Sequence, residues 1–478
     1  MRWSRVFVAQ ANRSWIHRSL QVFRETEAAS EEPEERQRPV PSEQAEEEKG
    51  LRYSGLVSEK PTSERLRGAG ETRPSDAGGS PDPDGGQRAA SQHRLPARSP
   101  WLTAIQQVLP VYTATHVLYF LLSYIAFLFP GDSSSTKGPV LLAMINSWNH
   151  WDSSHFITIA MHGYSNWWRT AFFPLYPLLI RLTNYLADNP VLAGLVISNL
   201  AGFGALVMLH RLIAEDFDEE LAGRTVLYYA TFPMAFFLAA AYSESLFMLL
   251  ALLCFYAIRQ GYWWQAALWG GLASLTRVTA LPLLVPFVYE YLRQHQFRLG
   301  QFRLDALGIL GIPSGLGLFA GYCFLRFHDP LAFSHAESVW QRSLQPPWFA
   351  VSATLAALVQ DSSHLDFITI HRVSDLVLLT GMLVLVALLF VGPWRLRGSI
   401  ALSYTSYTAV AFIFFLVVPA QGRYPTMSLP RYCLALFPAF LVLARLGRGE
   451  SFRLHYLIIS GGLLTFTALQ FLIGQWAG

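Results

Sequence analysis

Trp148-Asn-His-Trp151-Asp152-Ser-Ser-His155-Phe-Ile-Thr-Ile-Ala-Met-His162-Gly-Tyr164 crowds one acid and three histidines among four aromatic side chains. On either side the chain turns apolar, at about 105–129 and 190–213. Roughly 20 apolar residues suffice to cross a bilayer as a helix. Backbone facing lipid must satisfy its own hydrogen bonds, so irregular chain, and with it chemistry, belongs in connections of this kind. Further apolar runs lie near 224–240, 243–258, 262–277, 279–292, 304–327, 373–393, 398–419, 431–446 and 454–474, about 11 in all. The fold class expected is an all-α integral membrane bundle.

Composition supports this reading. The 478 residues are 52% hydrophobic and 14% charged, with a formal net charge of +3. Residues 1–100 hold 16 Lys+Arg and 16 Asp+Glu, leaving 20 and 17 for the other 378. About a tenth of that remainder is charged, far below the roughly 25% of soluble domains. This excludes an ordinary soluble enzyme and a nucleic-acid binder. Cys254, Cys323 and Cys433 all fall in apolar runs without CxxC spacing, so neither a disulfide framework nor a zinc site is expected. Lys occurs only at 49, 60 and 137, which reads as coding bias toward Arg.

Two domains are expected: 1–100 as a disordered cytosolic tail and 101–478 as the membrane domain. Glu43-Gln-Ala-Glu-Glu-Glu-Lys49 and Gly78-Gly-Ser-Pro-Asp-Pro-Asp-Gly-Gly86 bury too little apolar surface to offset the entropy of ordering. Residues 1–24 carry five arginines and no acid among aromatic and aliphatic residues. They suit an amphipathic surface helix, an organelle presequence or an unstructured extension. No apolar signal-peptide core precedes residue 105.

Arginine placement sets an expected orientation. With the tail cytosolic, Arg259, then Arg293, Arg298 and Arg303, then Arg395 and Arg397, then Arg445, Arg448 and Arg453 fall in short cytosolic loops. The long connections 130–189 and 328–372 then lie outside. Within the first, 171–187 is apolar but short and broken by proline, and is expected as an interfacial helix.

Asp152 and His155 are three apart and share a helix face, with His162 two turns further on. They suit either a capped helix start in an aromatic belt or a general base near low-dielectric lipid. Glu244, in Tyr242-Ser-Glu-Ser245, stands between two apolar runs as a helix cap or a functional acid. Arg277, in Leu275-Thr-Arg-Val278, requires an anion, either a protein carboxylate or a lipid phosphate. Arg423, Arg431 and Tyr432 repeat that pattern in the last outer loop. Outer-face acids together with outer-face arginines suit a site that deprotonates a hydroxyl and holds a phosphate. No GxGxxG, P-loop, HExxH or GxSxG motif is present.

The stretch Trp151 to Tyr164, then Ala171-Phe-Phe-Pro174-Leu-Tyr-Pro177, Phe237 to Phe247, Gly271 to Arg277 and Arg431-Tyr-Cys-Leu-Ala-Leu-Phe437-Pro438 resembles the PIG-V family. That family contains GPI mannosyltransferase 2 and bacterial relatives. The resemblance spans about 105–474. It implies a GT-C-type glycosyltransferase whose first outer loop presents a catalytic Asp. The expected donor is mannose on a polyprenyl or dolichyl phosphate, with transfer by inversion to a lipid or glycan acceptor. Asp152 matches the base, His155 its companion and Glu244 a further catalytic position. Arg277, Arg431 and Tyr432 would bind the donor phosphate, and Trp151, His162, Tyr164 and Tyr242 the substrate.

Ser165-Asn-Trp-Trp-Arg169 lacks the acid that many relatives carry after Gly-Tyr, which leaves acceptor recognition and a divalent cation open. The tail and the arginine usage favour a bacterial plasma membrane over the endoplasmic reticulum. A lipid-linked glycan flippase is the rival reading, but the internal repeat expected of a transporter is not visible.

Overall fold

Proline and short polar side chains set where the helices begin. Pro100 and Pro190 each open a helix, where a missing N–H costs nothing. Asn189 caps the second of these by accepting from Leu192 N at 3.0 Å. Asp218 caps the next by accepting from Leu221 N at 2.7 Å. The structure, a computed structural model, describes residues 99–477 apart from 130–138, 299, 301–302, 361–366 and 423. The tail expected over 1–100 lies, but for Ser99 and Pro100, outside the described residues, as does Arg423.

Among the described residues every named element is helical, with one isolated bridge between Arg342 and Ala420. Five helices are long and apolar enough to span a membrane: Pro100–Leu128, Pro190–Asp216, Leu304–Phe327, Ile368–Phe390 and Glu450–Leu472. A sixth is a pair, Leu429–Ala435 and Phe437–Leu446, bent by 83°. The other expected spans are shorter or broken helices: Glu219–Ala230, Glu244–Gln260, Trp263–Ser274, Leu284–Gln294 and Ala401–Leu416. Pro282 accounts for one break, because it falls inside the 3₁₀ turn that leads into Leu284–Gln294.

The helix Pro190–Asp216 is the hub, packing against Pro100–Leu128, Leu175–Ala187, Glu219–Ala230 and Glu244–Gln260. Phe120, Leu318, Leu325, Val377 and Ile458 remain exposed on the other long helices. Hydrocarbon needs no polar cover, so these are lipid-facing positions and the chain is a multi-pass membrane protein. Trp263–Ser274 and Gly311–Phe327 approach closely through glycine: a Cβ on Gly271 would come within 2.9 Å of the Gly311 carbonyl oxygen. That contact fixes the helix end from which Arg277 emerges. The segment expected at the interface forms the helix Leu175–Ala187, which buries Tyr176, Pro177 and Ile180 and exposes Leu182, Tyr185 and Leu186.

One buried ion-pair cluster ties four helices together where Pro190–Asp216, Glu244–Gln260 and Leu284–Gln294 end and Ala401–Leu416 begins. Arg259 grips Asp216 with both arms of its fork, at 2.8 and 2.9 Å, and reaches Glu290 at 2.6 Å. Arg293 donates to Glu290 at 2.6 Å, Tyr404 to Asp216 at 2.6 Å, and Ser403 to Glu290.

Candidate active site

A second cluster gathers at the other end of the Glu244–Gln260 helix, where four loop-to-helix junctions meet. Asp152 begins the helix Asp152–His162, Glu244 begins Glu244–Gln260, Arg277 follows Trp263–Ser274, and Arg431 lies in the short turn Leu429–Tyr432 at the 83° bend. The Arg431 side chain is 3% exposed and carries both acids. Its Nη1 donates to Asp152 Oδ2 at 2.8 Å, and its Nε lies 3.1 Å from Glu244 Oε1 without hydrogen-bond alignment. Arg277 Nη1 donates to the same Glu244 oxygen at 2.7 Å and to Ser243 Oγ at 3.1 Å. Tyr432 stacks beneath the cations, its ring centre 5.2 Å from the Arg277 guanidinium and 5.5 Å from that of Arg431. The fold thus brings four charged residues scattered over 280 positions of the sequence into one chain of ion pairs.

The cluster floors a cavity of about 260 Å³. Asp152, Arg277, Ser428, Arg431 and Tyr432 line it, with an aromatic wall of Phe156, Phe172, Phe333 and Trp340. Asp152 Oδ1 has no hydrogen-bond partner among the described residues, leaving it available to a ligand. Four buried polar atoms in or beside the cavity also lack a partner: Glu244 Oε2, Thr279 Oγ1, Arg431 Nε and Trp476 Nε1. Buried polar groups are normally satisfied, and these atoms are open to hydrogen bonds from a polar ligand.

The residue before Asp152 is strained. Trp151 has φ 56° and ψ −120°, an uncommon conformation for a bulky side chain. Its ring packs edge-on against Trp476, 5.0 Å between centres. The Tyr242 hydroxyl donates to His150 O at 3.1 Å and accepts from Asp152 N at 3.3 Å.

Other expected site residues are placed differently. His155 shares the helix face with Asp152 but stands outside the cavity lining, stacked against Phe172 and edge-on to Trp168. Burial pulls its pKa down, partly opposed by the Asp152 carboxylate. His162 is exposed at the helix end. Tyr164 is buried, its hydroxyl donating to Phe172 O at 2.6 Å and its ring packed against Phe319 and Tyr322. Neither His162 nor Tyr164 reaches the cavity, and Trp151 and Tyr242 touch it only through Asp152 and Arg431.

Glu337, Trp340 and Arg342, from the connection 328–372, line the cavity and were not anticipated. Arg342 Nε lies 3.5 Å from Glu337 Oε2. Burial pushes the Glu337 carboxyl above its usual range, with Arg342 and Arg277 opposing and Asp152 adding to the rise. The only sequence signal was an acid and an arginine five residues apart around a tryptophan. No group of three or more His, Cys, Asp or Glu side chains that could hold a metal ion occurs among the described residues.

Fold and site together define a polytopic helical membrane protein with a charged cleft framed by the ends of its helices. The family model for mannosyltransferase (PIG-V) matches residues 130–301, the segment that contains Asp152, Glu244 and Arg277. The resemblance to the PIG-V family is borne out over that segment. GPI alpha-1,6-mannosyltransferase 2 from Rattus norvegicus is 28% identical over 218 residues, 41% of this chain and 44% of that protein. The same enzyme from Homo sapiens is 32% identical over 150 residues, 29% of this chain and 30% of that protein. The chain thus spans less than half the length of these two curated relatives. The crystal structure of ArnT from Cupriavidus metallidurans bound to undecaprenyl phosphate aligns with a TM-score of 0.46 at 14% identity, over 76% of this chain and 63% of that one.

Proposed function

We propose that the chain is a GT-C-type membrane glycosyltransferase. It moves mannose, or a related hexose, from a polyprenyl- or dolichyl-phosphate donor to a hydroxyl of a lipid or glycan acceptor on the non-cytosolic face. The observation that carries this reading is the run Asp152–Arg431–Glu244–Arg277 opening onto a cavity with unsatisfied polar walls.

A base and a phosphate clamp are what such a transfer needs. Asp152 takes the proton from the acceptor hydroxyl, whose oxygen attacks the anomeric carbon from the side opposite the phosphate. The bond between that carbon and the phosphate oxygen breaks, the configuration inverts, and the leaving phosphate gains negative charge. Arg277 and Arg431 stabilise that charge, held in place beforehand by Glu244, Ser243 and Ser428. His155 packs against Phe172 and Trp168 on the helix face beside the base. The donor and acceptor tails would remain in the bilayer, and the membrane favoured is a bacterial plasma membrane.

The test uses membranes supplied with radiolabelled polyprenyl-phosphate mannose. The wild type should label a lipid or glycan, and Asp152→Asn should lower transfer by about 10²–10⁴-fold at unchanged protein level. Activity retained within a few-fold would remove Asp152 from the role of base. Absence of transfer, with movement of lipid-linked glycan between leaflets of reconstituted vesicles, would install the flippase reading instead.

A further inference from the structure

Asp375 is an acid inside a membrane span, and the reaction above leaves it unused. It lies near the start of the helix Phe367–Phe390 and is 1% exposed. Its Oδ2 accepts from Thr426 Oγ1 at 2.8 Å and lies 3.5 Å from His371 Nε2, one turn earlier. Its Oδ1 is buried without a partner. An ionisable group at such a place is expensive, and the expense points to a task.

Thr426 belongs to the turn that leads into the short helix carrying the cleft's central cation. Met427 N donates to Tyr424 O at 3.0 Å, and Leu429 N to Thr426 O at 2.9 Å. The turn ends on Ser428, a non-glycine residue at φ 66°, a conformation that needs outside support. Ser428 Oγ accepts from Arg431 Nη2 at 3.3 Å, and Ser428 O accepts from Tyr432 N at 3.0 Å. On another side of the turn Arg342 donates to Met427 O at 3.2 Å and to Val418 O at 3.4 Å. The strained turn is therefore pinned by a spanning helix through Asp375 and by the 328–372 connection through Arg342. Arg431 lies three residues beyond its last residue, in the short helix Leu429–Tyr432 that follows directly.

We infer that Asp375, acting through Thr426, is a positioning residue for Arg431: it holds the Tyr424–Ser428 turn so that one guanidinium reaches both Asp152 and Glu244. The inference rests on the mannosyl-transfer reading for its kinetic readout, and a chemical readout is independent of that reading. Thr426→Val removes the donor, and Asp375→Ala removes the acceptor. Thr426→Ser and Asp375→Asn each keep the bond.

In the transfer assay, Thr426→Val and Asp375→Ala should each lower kcat about tenfold or more while donor KM changes less than about threefold. Thr426→Ser and Asp375→Asn should restore kcat to near the wild-type value. The double variant Asp375→Ala/Thr426→Val should be no slower than either single variant, because both cut one bond. Independently of turnover, phenylglyoxal should modify Arg431 several-fold faster in Thr426→Val than in wild type or Thr426→Ser, read by mass spectrometry of membrane-embedded protein. An unchanged modification rate, kcat within twofold of wild type in both removal variants, or additive losses that Thr426→Ser and Asp375→Asn fail to rescue would each overturn the inference. An inactive wild type whose Arg431 is still shielded through Thr426 would overturn the transfer reading and leave this one standing.

Discussion

The helix Glu244–Gln260 has a buried ion-pair cluster at each end, roughly 22 Å apart at 1.5 Å per residue. At its C-terminal end Arg259 binds Asp216 and Glu290, with Arg293, Ser403 and Tyr404 filling the remaining lone pairs. None of those side-chain atoms is left buried without a partner, and no side chain of that cluster lines the 260 Å³ cavity. At its N-terminal end the same types of residue leave Glu244 Oε2 and Arg431 Nε unsatisfied and open onto that cavity. Both arrangements carry the desolvation cost of buried charge. Only the first is complete within the protein. The difference separates a cluster that joins helices from one that expects a ligand, and the ion pairs alone would not have separated them.

The contrast breaks most easily at the end proposed to be catalytic. The Asp152→Asn substitution described above removes activity by orders of magnitude, and the thermal midpoint of the purified protein should stay within a few degrees of wild type. At the closed end the reverse is expected. Arg259→Ala strands Asp216 and Glu290 in the interior, at a cost of about 3–5 kcal/mol, so folded protein recovered from membranes should fall sharply. Normal recovery of an Arg259→Ala protein would mean that this cluster is not structural.

A third test sharpens the phosphate assignment. Arg277→Lys keeps the charge but loses the planar fork, and donor KM should rise about tenfold, the worth of one charge-assisted hydrogen bond. An unchanged donor KM would leave the phosphate to Arg431 alone.

The smallest effect concerns Glu337, whose carboxyl is raised by burial. Its folded pKa lies above its unfolded one, so the folded state holds the proton more tightly. Its contribution is favourable below about pH 4.5 and is lost as pH rises through the folded value. Glu337→Gln should therefore raise the thermal midpoint slightly at pH 7, with the gain vanishing toward pH 4. A gain that persists at pH 4 would rule out titration as its source.

Much of this was legible because charge stands out against an apolar background. Glu244 and Arg277 stand between apolar runs, Asp152 and Arg431 in the outer connections that separate them, and all four meet in one chain of ion pairs. Glu337 and Arg342 belong to a polar connection where another acid and arginine carry no signal, and only folding brings them over Tyr432 and Asp152. His162 stands away from the cavity because the helix ends at that residue, whereas helical periodicity assumes a face that continues. Tyr164 stands away from it because an aromatic hydroxyl beside a motif is as readily satisfied by a backbone carbonyl as by a ligand. The spans followed the same rule: apolar runs located the helices, but the shorter and broken ones needed the three-dimensional packing to be seen.

The Tyr242 hydroxyl bridges the backbone of residues 150 and 152, one bond on each side of the strained Trp151. A single oxygen thus acts as a torsional brace. It holds a twist that the indole would otherwise relax, and it fixes the direction in which the first helical residue, Asp152, leaves the chain. The aim of the carboxylate is set by main-chain geometry before its ion pair with Arg431 closes, so its accuracy depends on a phenol that itself never enters the cleft.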